Sequence, residues 1–196
     1  MSKKLSEMTL EELWQLFPIF LTEPQPCWKA WYAEEADTLK KALPMTAVLH
    51  HVGSTSVGSI WAKPIIDIMV ETPAEGDLPG YEALILKNGY RCMSREGNRL
   101  SFNKGYTEAG FTQRVFHLHL RVRGDNDELY FRDYLKEHSH VAGQYESLKL
   151  NLWKQYEHDR DGYTNAKTAF ISKYTQQAKA LYKNRYEQTE MSAHDK

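Results

Sequence analysis

The amino-acid sequence predicts an α+β fold, with a mainly antiparallel sheet in the middle of the chain and helices on either side of it. Two-residue alternation of apolar and polar side chains marks Ile65–Glu71, Arg99–Lys104 and Arg114–Val122 as strands. Apolar residues recur at helical spacing before and after them. A length of 196 residues, 41% hydrophobic and 26% charged, suits one globular domain. Lysine plus arginine (25) and aspartate plus glutamate (26) leave a formal net charge of −1. That disfavours a dedicated nucleic-acid binder, which carries a basic excess, but leaves room for a local basic pocket.

The first helix is announced by Thr9-Leu10-Glu11-Glu12, a capping box with Thr9 as N-cap, and Met8 and Leu13 fit a hydrophobic staple. Leu10, Leu13, Trp14 and Phe17 supply its apolar stripe, and Pro18 ends or kinks it. Pro24 and Pro26 mark a connector, and Trp28, Trp31, Tyr32, Ala36 and Leu39 predict a second helix over Trp28–Leu43. Beyond Gly124-Asp125-Asn126-Asp127 three more helices follow. Phe131, Tyr134 and Leu135 mark the first; Val141, Tyr145, Leu148 and Leu152, with Ser139 as N-cap, mark the second. Tyr163, Ala166, Phe170, Tyr174, Ala178 and Leu181 mark the third. Residues 1–186 are read as one domain with an N-terminal helical extension over about 1–27, and Glu187–Lys196 as a flexible polar tail.

Cys27 and Cys92 form no Cys-x-x-Cys pattern and read as free thiols of a reducing cytoplasm. The N-terminus has no apolar core of a signal peptide, and no segment approaches the ~18 apolar residues of a membrane span. A cytoplasmic protein, monomer or homodimer, without membrane contact is expected. No Gly-x-x-x-x-Gly-Lys-[Ser/Thr], Gly-x-Ser-x-Gly or His-Glu-x-x-His motif occurs, which removes P-loop kinases, common esterases and zincin proteases.

The chemistry concentrates in two places. His51-Val52-Gly53-Ser54-Thr55-Ser56 reads as a strand entering a short helix through a turn of small hydroxyl residues, able to bring amides and hydroxyls close to a phosphate. A plain capped connection reads equally well. Lys63 adds a positive charge nearby. On the following strand Asp67 stands between isoleucines, where an acidic residue binds something, lines a cleft or pairs with a cation. Asp67, Met69 and Glu71 fall on one side of that strand, and His117, His119 and Arg121 on one side of another. If the strands are neighbours, these groups share an open face, with Met69 exposed beside Asp67. Two imidazoles plus a carboxylate make a three-ligand metal site, a phosphate-binding group, or a structural pair.

These segments together resemble the GrpB family of bacterial proteins. The resemblance rests on His51-Val52-Gly53-Ser54-Thr55-Ser56-Val57, Ala62-Lys63-Pro64-Ile65-Ile66-Asp67-Ile68 and His117-Leu118-His119, followed by Phe131-Arg132-Asp133-Tyr134-Leu135 and Tyr145-x-x-Leu148-Lys149. Asp159, Tyr163, Lys167 and Phe170-Ile171 extend it, so that it spans roughly residues 28–175. It implies a nucleotidyltransferase-like fold. There, Gly53 and Ser54 match a turn that cradles nucleotide phosphates, and Asp67 matches the first carboxylate of a Mg²⁺-binding pair. The second carboxylate position holds Met69, and Gly58-Ser59 stands where Pro-Gly is usual.

Three readings follow. The first is a pocket of His51, Gly53, Ser54, Thr55, Lys63, Asp67, His117, His119 and Arg121 that binds a nucleotide or phosphorylated small molecule. If it transfers a nucleotidyl or phosphoryl group, Asp67 holds a divalent metal (Mg²⁺ or a transition metal), Lys63 offsets charge, and His117 or His119 acts as acid or base. The second is a binding or regulatory module that keeps the fold without the chemistry, which Met69 favours. The third is a transition-metal site of Asp67, His117 and His119.

Overall fold

A computed structural model describes residues 3–183 and 185–186 and places the three alternating segments at the centre of a five-stranded sheet. The chain begins with α1 (Leu10–Leu16), where the Thr9 and Glu12 side chains accept from each other's backbone amides, as the capping box requires. Next come α2 (Cys27–Ala42), β1 (Val48–Val52), the one-turn α3 (Gly53–Val57), β2 (Ile65–Thr72) and α4 (Leu78–Lys87). Strands β3 (Arg91–Glu96), β4 (Arg99–Thr107) and β5 (Gly110–Val122) form a meander. Three helices close the chain: α5 (Asp127–Glu137), α6 (Ser139–Gln155) and α7 (Arg160–Tyr182).

The sheet order is β1-β2-β5-β4-β3; β2 and β5 are parallel and the other three pairs antiparallel. The fold is thus α+β with a mixed, mainly antiparallel sheet. The β1–α3–β2 unit brings the Gly53 turn beside Asp67. Pairing of β2 with β5 sets Asp67 opposite His117 and Met69 opposite His119, so period-two alternation puts all four on one side of the sheet.

The other side is the main core. Trp28 and Leu39 of α2 and Tyr81 and Ile85 of α4 pack on Ile66, Ile68 and Val70 of β2 and on Phe116, Leu118 and Leu120 of β5. Several of these are wholly buried, each contributing about 1.5–3 kcal/mol by removal of apolar surface from water.

The face carrying Asp67 is not open along its length, as simple alternation predicts. The chain after β5 folds back over it, and Leu129 of α5 seals Val52 and Met69 into a small cluster. Met69 is 0% exposed, which corrects the expectation of an exposed side chain beside Asp67. Glu71 is likewise buried, in an ion pair with His50 at 2.8 Å. Ser139 is the first residue of α6 rather than its cap, which is His138. Strand β3 and helix α4 carry no clean periodic signal in the sequence. The segment expected to be a polar tail lies outside the described residues. Cys27 and Cys92 are free thiols, and among the described residues no helix is long and apolar enough to cross a membrane.

Candidate functional site

The site starts at a glycine. Gly53, which follows β1 as the first residue of α3, has φ +68°, a backbone conformation that L side chains avoid, and a Cβ built there would lie 2.1 Å from Asp67 Oδ2. Turn and carboxylate therefore touch. Two residues on, the buried Thr55 hydroxyl donates to the Ile65 carbonyl at 3.3 Å. Having spent its proton there, it accepts from His51 Nε2 at 3.0 Å. His51 stacks on Tyr32 with ring centroids 4.5 Å apart, and burial pushes its pKa down to about 4. His51 thus braces the turn from behind.

Asp67 Oδ1 lies 3.5 Å from both His117 Nδ1 and His119 Nε2, and all three side chains are one-quarter exposed. The partners of the two rings fix their tautomers. Arg160 donates to the Tyr106 oxygen at 2.8 Å, so the phenol proton is free to go to His117 Nε2, also at 2.8 Å. The proton of neutral His117 is then on Nδ1, facing Asp67. Arg121 approaches His119 Nδ1 at 3.5 Å, which leaves the His119 proton on Nε2, again facing Asp67. Burial by itself would raise the Asp67 carboxyl; the hydrogen bonds from His117 and His119 outweigh it and hold the group well below the usual carboxylate range. Burial also lowers His117, against the pull of Asp67 and with help from Lys63 and Arg160.

This donor set does not fit the two-metal arrangement that the resemblance implies. The second carboxylate position is Met69, sealed under α5. The lone pairs of both imidazoles point to Tyr106 and Arg121 rather than to a point shared with Asp67. Among the described residues no group of three or more His, Cys, Asp or Glu side chains is placed to hold a metal ion. Hard Mg²⁺ and two-metal phosphoryl transfer both require converging oxygens.

Arg121 has structural partners of its own. It is 5% exposed, donates to the carbonyls of Leu100 and Leu120, and pairs with Glu128 at 3.0 Å, so it ties α5 to the sheet.

Gly53, Ser54, Thr55, Lys63, Asp67, His117 and His119 border one cleft of about 1290 Å³ between the sheet and α7, with Leu5, Leu13 and Phe17 among its apolar wall. Its cationic wall comes largely from residues not predicted for the site. Lys167 lies 4.1 Å and Lys63 5.6 Å from the centre of the Tyr163 ring, Arg160 covers the Tyr106 ring, and Lys149 lies over Tyr145. Lys149 is 2% exposed and donates to the Trp61 carbonyl. None of these four cations is ion-paired with a carboxylate among the described residues. Burial pushes Lys63 down to about 7, assisted by repulsion from Lys167, Arg160 and Lys149 and opposed by Asp67. Burial likewise brings Lys149 to about 7 and Lys167 to about 8.

Tyr106 escapes prediction because β4 is irregular. Strict alternation would put it on the core side with Leu100 and Phe102, but the register with β5 shifts between Lys104 and Tyr106. At the shift, Gly105 has φ +95°, and a Cβ there would meet the Arg114 carbonyl at 2.5 Å. The irregularity turns Tyr106 toward His117. Arg160 is the first residue of α7, where periodicity says nothing. Lys149, Tyr163 and Lys167 stand in the segments that carry the GrpB resemblance, and that was their only signal.

The GrpB protein family profile matches residues 18–177. The chain belongs to the GrpB family. It is 30% identical over 162 residues to the UPF0157 protein YqkA of Bacillus subtilis, covering 81% of this chain and 46% of that protein. It is 34% identical over 152 residues to the UPF0157 protein PA4798 of Pseudomonas aeruginosa, covering 76% of this chain and 62% of that one. The chain thus spans roughly half of these two relatives. The crystal structure of the conserved protein GrpB from Enterococcus faecalis superimposes with a TM-score of 0.72 at 31% identity, over 83% of this chain and 99% of that one. The GrpB match takes in the Gly53 turn, Asp67, the histidine pair, Lys149 and Lys167, so the polar centre of the cleft falls within the family region.

Proposed function

We propose that this GrpB-family protein binds a nucleotide or phosphorylated small molecule in the cleft between the sheet and α7. The observation that carries the reading is the set of four cations, Lys63, Lys149, Arg160 and Lys167, that border the cleft with Asp67 and are ion-paired with no carboxylate among the described residues. Charges withdrawn from water and left unpaired cost stability, and an anionic ligand returns it. A phosphate supplies several acceptor oxygens to such a cluster, and the cleft is large enough for a nucleotide. On this reading Lys63, Lys167 and Arg160 hold the anion, Asp67 with its two histidines fixes the position of neighbouring cations and of any ligand hydroxyl, and α1 supplies an apolar wall. The protein acts as a binding module, and the buried Met69 is what favours this over metal-dependent transfer.

Group transfer is the second reading, favoured by the contact between the Gly53 turn and Asp67. Thermal unfolding with a panel of nucleotides and sugar phosphates, with and without Mg²⁺, Mn²⁺ and Zn²⁺, separates the two. A ligand at 100 times its Kd adds about 2.7 kcal/mol, or roughly 5–11 °C in Tm for a domain of this size. A shift with nucleotide alone supports the module, and a shift requiring nucleotide and Mg²⁺ together supports transfer. No shift with any phosphorylated compound overturns both.

A further inference from the structure

We infer that the ligand of this cleft carries a di- or triphosphate chain and that Lys63, Lys167 and Arg160, backed by Lys149, grip that chain without a divalent cation. The inference rests on the phosphate-binding reading above and deepens it.

Three independent features lead there. First, the place from which a nucleotidyltransferase-like fold would offer a second carboxylate to a metal is filled by Met69, wholly buried against Val52 and Leu129. Second, the remaining donors do not converge on one point. Asp67 Oδ1 faces N–H groups from both histidines, and the imidazole lone pairs are turned to Tyr106 and Arg121. Third, the positive charge that metal ions would bring to a phosphate chain is built into the protein. Arg160, Tyr163 and Lys167 stand at i, i+3 and i+7 of α7, on one helix face. Lys63 reaches the Tyr163 ring at 5.6 Å and senses Lys167, Arg160 and Lys149.

The spread of the cations sets the size of the anion. Lys63, Lys149, Arg160 and Lys167 all border the cleft, and the length of a chain of two or three phosphates lets separate phosphates meet separate cations, which a lone phosphate cannot do. Magnesium chelated by the chain would bring positive charge against this cluster with no carboxylate pair to receive it, so Mg²⁺ competes with the protein for the chain.

Titration calorimetry of the full chain with orthophosphate, pyrophosphate and tripolyphosphate, each in EDTA and then in excess Mg²⁺, tests this. We expect affinity in EDTA to rise about tenfold or more from orthophosphate to the longer chains, and to fall at least several-fold on adding Mg²⁺. Lys63→Met and Lys167→Met should each weaken pyrophosphate about tenfold or more, and Lys167→Arg should restore most of the loss, because a charge rather than a shape is needed. Both sites border the open cleft; far-ultraviolet circular dichroism identifies a variant that fails to fold, and the wild-type EDTA and Mg²⁺ comparison decides the matter without any variant. Tighter binding in Mg²⁺ than in EDTA, or orthophosphate bound as tightly as tripolyphosphate, overturns the inference while leaving the phosphate reading standing. Absence of binding by all three anions and by every nucleotide overturns both.

Discussion

Replacing Gly53 by alanine tests whether the turn and the carboxylate are built as one unit. The added Cβ would lie 2.1 Å from Asp67 Oδ2, 2.8 Å from Cγ and 2.9 Å from Cβ. Ordinary contacts are longer by about an ångström, so either the turn lifts or Asp67 swings away. Holding an alanine at φ +68° costs about 1–2 kcal/mol. Displacing a packed neighbour adds about 1–3 kcal/mol, and a stiffer unfolded chain returns about 0.4–1 kcal/mol. The net loss is therefore roughly 1–5 kcal/mol, or about 2–20 °C in Tm for a domain of this size. Urea or thermal unfolding measures it. A double-mutant cycle with Asp67→Ala isolates the contact, since Gly53→Ala should cost less once Oδ2 and Cγ are gone, while the φ cost remains. An alanine variant within 0.5 kcal/mol of wild type, or a cycle without coupling, would refute the close approach and the site geometry built on it.

Two further predictions concern burial. Met69→Asp places a carboxyl at a position 0% exposed, against Val52 and Leu129, and should cost about 3 kcal/mol or more in urea unfolding, without gain of Mg²⁺ binding. Because burial raises that carboxyl's pKa in the folded state, the deficit should shrink as pH falls toward 4; a near-neutral substitution that gains Mg²⁺ affinity would overturn the placement of α5. The second is that the unliganded protein should gain stability as pH rises from 7 to about 9.5. Lys63 and Lys149 near 7 and Lys167 near 8 bind fewer protons folded than unfolded across that window. The groups facing them are Asp67, His117, Tyr106, Tyr145, Glu146, Arg160 and Tyr163. Of these, Tyr145 and Tyr163 are raised by burial and turn the trend downward only above about pH 10. Stability that is flat or declines between pH 7 and 9.5 in chemical denaturation would contradict the buried cationic wall.

The parts of this molecule that sequence reasoning reached are those governed by short-range rules. Thr9 and Glu12 cap α1 because capping needs only two side chains three residues apart. Alternation found β2, β4 and β5, and placed Asp67, His117 and His119 on one side, because a strand side chain has only two directions to take. What failed depends on the path of the chain far away. Whether Met69 meets solvent is decided by Leu129 of α5, sixty residues on, and no local pattern carries that information. Tyr106 failed for a local reason of another kind, since one irregularity at Gly105 inverts every alternation argument beyond it.

The cationic wall was the least legible part and is the most informative about function. Lys63 is legible from its place after the Gly53 turn, but lysines at 149 and 167 read one by one as solvated surface charges, which is what most lysines are. Their meaning lies in convergence: one loop and two helices distant in sequence bring them over the rings of Tyr145 and Tyr163, none ion-paired with a carboxylate among the described residues. Such an arrangement works against folding, since each ammonium loses water and repels the next. A protein selected for stability alone would gain by exchanging any one of them for a neutral residue of similar length. The proposed ligand resolves that conflict. Its phosphate oxygens replace the lost water, reverse the repulsion and raise the lysine pKa values again, so binding should take up protons near pH 8. Carrying out the same titration in buffers of different ionisation enthalpy measures that uptake directly. Proton release, or none, would mean that the lysines are already neutralised from another source and that the wall is not a ligand site.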